Sequence, residues 1–261
     1  MKKTPLTVVV ITKNEEENIN DCLASAEWAD EIIVVDDESR DKTIEIAKKY
    51  TDKIYSRKMD NEGRHRNWAY AKASNDWVLS LDADERITEQ LAEEVTNLLK
   101  GSPVYKAYTI PRRNFIGKYW LKYGGEYPAA QTRLFLKKEF KYEEAEVHPR
   151  ALLDGDTGHL KGDIIHYSHS DIADYLKSLN SHTTLEAKKW YAQGRKMSLF
   201  HALWRAFDRC FYRRIIRKQG YKDGIYGWTV AIFSGFYQIV SYLKYREMIE
   251  LNKNNKPAKV K

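Results

Sequence analysis

Asp82-Ala83-Asp84 follows directly on an apolar run, Trp77-Val78-Leu79-Ser80-Leu81, and this order of residue types is the strongest chemical signal in the chain. The apolar residues suit a buried strand, and the carboxylates stand where such a strand would surface. If the strand conformation continues, Asp82 and Asp84 leave the same face of the sheet, because successive side chains alternate. Two carboxylates so placed repel each other and are costly to desolvate unless a cation lies beside them. A hard divalent ion, which takes oxygen ligands and also binds phosphate, is the natural guest. The plainer alternative is a strand end running into a solvated acidic turn.

Two further strand-like runs end in the same manner. Residues 6–11 lead into Thr12-Lys13-Asn14-Glu15, and residues 31–35 into Asp36-Asp37-Glu38-Ser39. Ligands of open α/β sheets collect at the carboxyl ends of parallel strands, so three polar clusters on one rim outline a site. A carboxylate beside the second strand is placed to accept hydrogen bonds from a ribose or a base edge. No G-x-G-x-x-G follows the first strand, which argues against a dinucleotide dehydrogenase, and no G-x-x-x-x-G-K-[ST] argues for a P-loop enzyme.

The elements that must carry these clusters alternate along the first hundred residues. Strands are expected at 6–11, 31–35, 53–56 and 77–81, and helices at 15–27, 42–50, 63–74 and 88–99, where apolar residues recur at helical spacing. Such alternation implies right-handed βαβ units and a mostly parallel sheet covered on both faces. Beyond Pro103, short strands at 105–110, 132–136, 144–148 and 164–167 predict a mixed or antiparallel extension. A helix over 171–193 comes next. From Ser198 the chain is helical, aromatic and basic, and a polar tail over 251–261 reads as disordered.

With 261 residues, 43% hydrophobic and 31% charged, the chain can bury one substantial core and a small appendage. A formal charge of +7 favours anionic partners: nucleotides, phosphorylated lipids or a negative membrane surface. Nucleic acid is not expected, since zinc-ligand spacing, RNA-binding aromatic signatures and arginine-rich arms are missing from the sequence. Cys22 and Cys210 fall inside helical patterns and read as reduced core residues of a cytoplasmic protein. The amino terminus reads as a first strand, since its apolar run is short and leads into Lys13-Asn14-Glu15-Glu16-Glu17. Residues 228–243 are short for a perpendicular membrane span and include Ser234, Gln238 and Ser241. Two readings stay open for this quarter: a helix pair lying in the membrane interface, or a helical subdomain packed on the core.

Four segments in order, Val9-Ile11 with Thr12-Lys13-Asn14-Glu15, Ile33-Val34-Val35-Asp36-Asp37-Glu38-Ser39, Gly63-Arg64-His65-Arg66-Asn67 and Leu79-Ser80-Leu81-Asp82-Ala83-Asp84-Glu85, resemble the nucleotide-sugar-binding half of family 2 glycosyltransferases. Tyr123-Gly124-Gly125, Thr132-Arg133-Leu134-Phe135, Glu146-Val147-His148 and Ile165-His166-Tyr167-Ser168 are similar to the lipopolysaccharide-core branch of that family. The resemblance covers about the first three quarters of the chain. It implies a GT-A fold: an α/β, Rossmann-like, mixed and mostly parallel sheet flanked by helices, with a C-terminal helical extension. Residues 1–195 would form the glycosyltransferase domain, with 1–100 the nucleotide-binding half and 101–195 the acceptor-side half. Residues 196–250 would be the extension and 251–261 the basic tail.

The resemblance further implies roles. Thr12, Asn14, Glu15 and Asp37 would lie against the nucleotide, and Arg66, Asn67 and Asp82 along nucleotide and diphosphate. Asp84 with Asp82 would hold Mn²⁺ or Mg²⁺, and His166 would add a metal or phosphate contact. The activity implied is metal-dependent, inverting transfer from a nucleotide-sugar donor, UDP-linked or similar, to a lipid-linked or lipopolysaccharide-core acceptor. It would take place on the inner face of the cell membrane. Inversion needs a base for the acceptor hydroxyl, and the acidic cluster before His148 offers Glu146 first and Glu144 next, on one face of an expected strand. The sequence departs from the branch at Pro149 and Ala129, where acids are common. The aromatic set Tyr119, Trp120, Tyr123 and Tyr127 reads as a sugar-stacking lip or as plain packing. Lys72 and Glu85 read as a solvated helix residue and a helix-opening acid. A sugar nucleotidyltransferase or a non-catalytic, membrane-docked nucleotide-binding module are the alternatives.

Overall fold

Leu6, Val8 and Val10 alternate with Thr7, Val9 and Ile11 along the first strand, and all six are buried, so both faces of that strand are covered. The structure is a computed structural model that describes residues 4–145 and 149–254. Its elements run β1 (Thr4–Thr12), α1 (Ile19–Ala24), β2 (Ala29–Asp36), α2 (Thr43–Ala47), β3 (Ile54–Ser56), α3 (Glu62–Tyr70), β4 (Trp77–Asp82), β5 (Glu85–Ile87), α4 (Glu89–Lys100) and β6 (Ala107–Ile110). Then come β7 (Arg112–Ile116), β8 (Tyr119–Trp120), β9 (Gln131–Leu136), β10 (Phe140–Tyr142), β11 (Ala151–Leu153), β12 (Gly158–His159), β13 (Ile164–His169), α5 (Ile172–Ala192), α6 (Leu199–Phe207) and α7 (Gly224–Asn254). The chain divides into two units: residues up to Asn114 with Pro128–Ser168, and Phe115–Tyr127 with residues from His169 onward.

The first unit is built on a seven-stranded sheet of order β12-β6-β9-β4-β1-β2-β3. β4, β1, β2 and β3 are parallel, while β9 runs antiparallel to both β4 and β6. This is the mixed, mostly parallel sheet that the sequence predicts. Leu6, Val8 and Val10 pack with Ile19, Cys22 and Leu23 of α1 and with Leu91 and Val95 of α4. Val9 and Ile11 face the other way, onto Ala69 and Tyr70 of α3 and Phe135 of β9. Register places Thr12 beside Asp36 and Ile11 beside Asp82, so the three polar clusters share one end of the sheet.

Near the start of β2, Glu31 is buried and accepts hydrogen bonds from Thr7, Lys53 and both the amide and hydroxyl of Ser74. Burial alone would raise its pKa, but these donors outweigh it and hold the carboxyl at about 2. Gly63 opens α3 against residues 143–145. A Cβ there would come within 1.9 Å of the Glu143 carbonyl oxygen, so only glycine fits.

In the second unit the end of β7 pairs with β8, Phe115 opposite Trp120 and Ile116 opposite Tyr119, around a turn in which Gly117 has φ of +55°. Part of the aromatic segment expected as a loop is therefore a hairpin. Asp223 accepts from the amides of Lys122 (3.2 Å) and Tyr123 (2.7 Å) and so fixes the chain just beyond β8. α6 continues as a π-helical segment, Asp208–Arg217, and the two run antiparallel to α7. Gly235 permits their close approach, because a Cβ would lie 2.9 Å from the carbonyl oxygen of Ala206. α5, grouped with the sheet by the sequence, packs along α7. α7 runs on to Asn254 and takes in the first residues of the expected tail; the rest of that tail lies outside the described residues. Among the described residues, no helix is long and apolar enough to cross a membrane.

Candidate active site

Glu85 is the least expected member of the strand-end cluster. Read from the sequence as a helix-opening acid, it instead stands on β5, fully buried, and organises its neighbours. Its carboxylate accepts from the Asp82 amide (2.9 Å), from Arg133 (2.8 Å) and from Arg112 (3.3 Å). Arg133, arriving on antiparallel β9, also donates to Asp82 Oδ2 at 2.7 Å, while Arg66 of α3 donates to Asp82 Oδ1 at 3.1 Å. Burial works to raise the Asp82 pKa, but two guanidiniums overwhelm it and keep the carboxyl well below the usual range. Asp82 is thus a permanent anion with each oxygen already engaged.

The strand does not continue to Asp84. β4 ends at Asp82, and a turn through Ala83 and Asp84 leads into β5, so strand alternation is not what orients Asp84. The turn is pinned by the Ala83 amide on the Ile11 carbonyl (3.2 Å) and the Tyr167 amide on the Asp84 carbonyl (3.0 Å). Its carboxylate lies 3.3 Å from Nε2 of His166, on β13. The other ring nitrogen, Nδ1, is 2.8 Å from Asn114 Oδ1, so the ring is held between Asn114 and Asp84. An imidazole oriented in this way by an oxygen on its far nitrogen is suited to binding a metal ion.

These groups border a cavity of about 260 Å³ lined by Thr12, Glu15, Arg66, Asp82, Asp84 and His166, together with Lys13 and Met59. Thr12 Oγ1 is buried there without a hydrogen-bond partner, a polar atom that a ligand would satisfy. Burial raises the Glu15 pKa, partly offset by Asn18, which donates to it at 2.8 Å. Asp37 is also buried, and its carboxylate accepts from Lys13 (2.7 Å) and the Met59 amide (2.8 Å). Burial opposes its ionisation, yet those two donors bring the pKa below the ordinary value.

Other residues singled out in the sequence do not border this cavity. Asn14, with φ of +53°, bonds Ser39 through its amide and accepts from the Arg40 amide, joining two strand-end loops. Asn67 pairs with both backbone groups of Tyr142, at 2.9 and 2.8 Å, and so ties α3 to β10. Lys72 lies over the rings of Trp68 and Tyr55, at 4.5 and 5.3 Å from their centroids. Glu144 sits in an exposed bend and pairs with Arg64 at 2.9 Å. Glu146 and His148 lie outside the described residues.

The donor set open to a divalent ion is therefore one carboxylate and one imidazole, Asp84 and His166. No group of three or more His, Cys, Asp or Glu side chains that could hold a metal is found among the described residues. The pair fits an ion that completes its shell with phosphate oxygens and water, as Mg²⁺ and Mn²⁺ do.

A family model, Glycosyl transferase family 2, matches residues 7–154 and so spans every strand-end cluster. An uncharacterized glycosyltransferase of Rickettsia prowazekii is 27% identical over 271 residues, covering 95% of this chain and 88% of its own. The lipopolysaccharide core biosynthesis glycosyltransferase LpsC of Rhizobium meliloti is 24% identical over 242 residues, covering 89% and 90%. Among solved structures, residues 1–349 of S. aureus TarS align over 99% of this chain and 93% of that one at 15% identity, with a TM-score of only 0.43. The family match covers more than half of the chain, and on it the chain belongs to glycosyl transferase family 2 and is a glycosyltransferase.

Proposed function

We propose that the enzyme transfers a sugar, with inversion, from a nucleotide-sugar donor (UDP-linked or similar) to a lipid-linked or lipopolysaccharide-core acceptor, using a divalent ion. The observation that carries the donor half is the Asp84–His166 pair at 3.3 Å, beside an Asp82 clamped by two arginines at the carboxyl ends of parallel strands. A Mn²⁺ or Mg²⁺ ion held by Asp84 and His166 would offset the charge that develops on the diphosphate leaving group. Arg66 uses Nε on Glu62 and Nη1 on Asp82, which leaves its second Nη for a diphosphate oxygen. Thr12 Oγ1 and the Asp37 carboxylate suit the ribose and base end of the donor. The acceptor half is supported by the name of the Rhizobium meliloti relative. The general base is assigned to the acidic segment, to Glu146 first and Glu144 second, with work on the cytoplasmic face of the membrane.

The test is nucleotide-sugar hydrolysis with and without Mn²⁺, alongside Mn²⁺ titration calorimetry of the nucleotide-bound protein. Asp84→Ala should abolish the metal-dependent heat and the metal-stimulated turnover together. Unchanged turnover in that variant refutes the metal assignment.

A further inference from the structure

Helix α7 buries an apolar face through Val230, Ala231, Tyr242 and Tyr245 and still leaves a second set of large apolar side chains outside. Gln238 and Ser241 are buried, with Gln238 accepting from Arg205 at 3.0 Å, while Ile225, Ile232, Phe236 and Leu243 are exposed. These four recur at spacings of seven, four and seven residues and so form one stripe. The antiparallel α6 and π-helical segment repeat the pattern: Phe200 is 80% exposed and Trp204 59%, and Phe207 and Phe211 continue the line. The two stripes join. Phe207 stacks on Phe211 with centroids 5.5 Å apart, and Phe211 meets Trp228 edge-on at 6.3 Å. An apolar surface this continuous is far beyond the scattered exposure of an ordinary soluble face.

Charge identifies what covers it. Residues 198–254 hold ten Lys and Arg against four Asp and Glu, a formal +6, whereas residues 1–197 hold 31 against 33, a formal −2. The basic side chains interleave with the aromatic stripe: Arg209, Arg213 and Arg217 lie within the π-helical segment and Lys218 follows it directly. Arg209 lines a cavity of about 220 Å³ with Ser178, His182, Ser234 and Tyr237. Burial and the nearby Arg195 and Arg209 together depress the Arg205 pKa, a sign of cations crowded without enough counter-charge. A second copy docked on the same face would set one basic patch against another, since a two-fold interface apposes like patches. A bilayer bearing anionic headgroups meets both features, taking rings into its interface and phosphates onto the arginines.

We infer that the antiparallel α6–α7 pair is a monotopic docking surface for anionic lipid bilayers, lying in the interface plane without crossing it. Docking is independent of the catalytic assignment and needs no donor, metal or acceptor to be observed.

The experiment is co-sedimentation of the full chain with large unilamellar vesicles, either pure phosphatidylcholine or phosphatidylcholine carrying about one third phosphatidylglycerol, a proportion that gives a strongly negative surface. Partition should favour the anionic vesicles and weaken as salt is raised. Trp204→Ser with Phe207→Ser should lower partition by roughly 100-fold, the scale of withdrawing two aromatic rings from an apolar phase. The thermal melt of that variant should stay put, because both rings are exposed. Arg209→Gln with Arg217→Gln should remove the preference for phosphatidylglycerol and leave the aromatic contribution. Three results overturn the inference: no sedimentation with either vesicle, full retention of binding by the serine variant, or a lipid-independent dimer that this variant dissolves.

Discussion

The strand-end rim and the antiparallel α6–α7 pair break opposite rules of protein interiors. At the rim, charges are taken inside: Glu85 and Arg133 are buried and Asp82 is partly covered, with ion-pair partners at hydrogen-bond distance. Along the helical pair the interior is mostly apolar, yet a second set of large apolar side chains faces outward. Each departure would cost stability unless another molecule or a compensating charge were present. In the rim compensation comes from ion pairs, and the buried polar atoms without a partner among the described residues include Thr12 Oγ1, Asp36 Oδ1 and Arg133 Nε, while Asp84 and His166 face each other at 3.3 Å. In the helical pair nothing within the unit compensates, and what remains is area. A ligand for the first is therefore small and polar, while the second needs an extended, apolar and anionic surface.

The sharpest way to break the comparison is to unbalance the rim. Arg133→Met leaves the fully buried Glu85 short of a partner and Asp82 with Arg66 alone, and should cost about 3–5 kcal/mol in chemical denaturation, with a fall in soluble yield. A loss below about 1 kcal/mol would mean the carboxylates are less dry than their burial indicates. Asp84→Asn removes a charge outside the guanidinium clamp, so its thermal midpoint should hold while metal-stimulated turnover falls by about 10²–10³-fold. If the melt moves and the rate does not, Asp84 belongs to the scaffold and not to the chemistry.

Acid titration separates scaffold from site in another way. Glu31 has its folded pKa depressed to about 2 from 4.5, so its stabilisation is fully present above pH 4.5 and lost as pH falls through 2. Glu31→Gln should be less stable than the parent at pH 7, and the gap should close between pH 4.5 and 2 in circular-dichroism melts. The smallest effect is expected at Glu144, whose partner Arg64 is half exposed. Glu144→Gln should shift stability by less than about 1 kcal/mol. A turnover loss in Glu144→Gln greater than that in Glu146→Gln would reverse the order proposed for the base.

The rim was legible because parallel strands deliver their carboxyl ends together, so runs ending in Thr12, Asp36 and Asp82 could be superposed from sequence alone. The hidden part came from long range. Arg133 reaches Asp82 across 51 residues by way of an antiparallel strand, and Asn67 finds Tyr142 across 75. Pattern reading gives neither pairing, so Glu85 looked like a helix-opening acid and Asn67 like a ligand contact. The same-face argument for Asp82 and Asp84 assumed that β4 continues, whereas the turn at Ala83 carries Asp84 to His166. The β7–β8 hairpin did leave a local trace, Gly117-Lys118 between alternating large residues, a two-residue connection with glycine at its first position. The helical pair was visible as composition but not as orientation, because only solvent exposure tells which of a helix's apolar faces is covered and which is left outside.

Asp84 stands two residues after Asp82 and one before Glu85, both locked by guanidiniums, and its own carbonyl is tethered to the Tyr167 amide. The backbone on either side of this carboxylate is held in place, so only rotation about its own side-chain bonds can re-aim it.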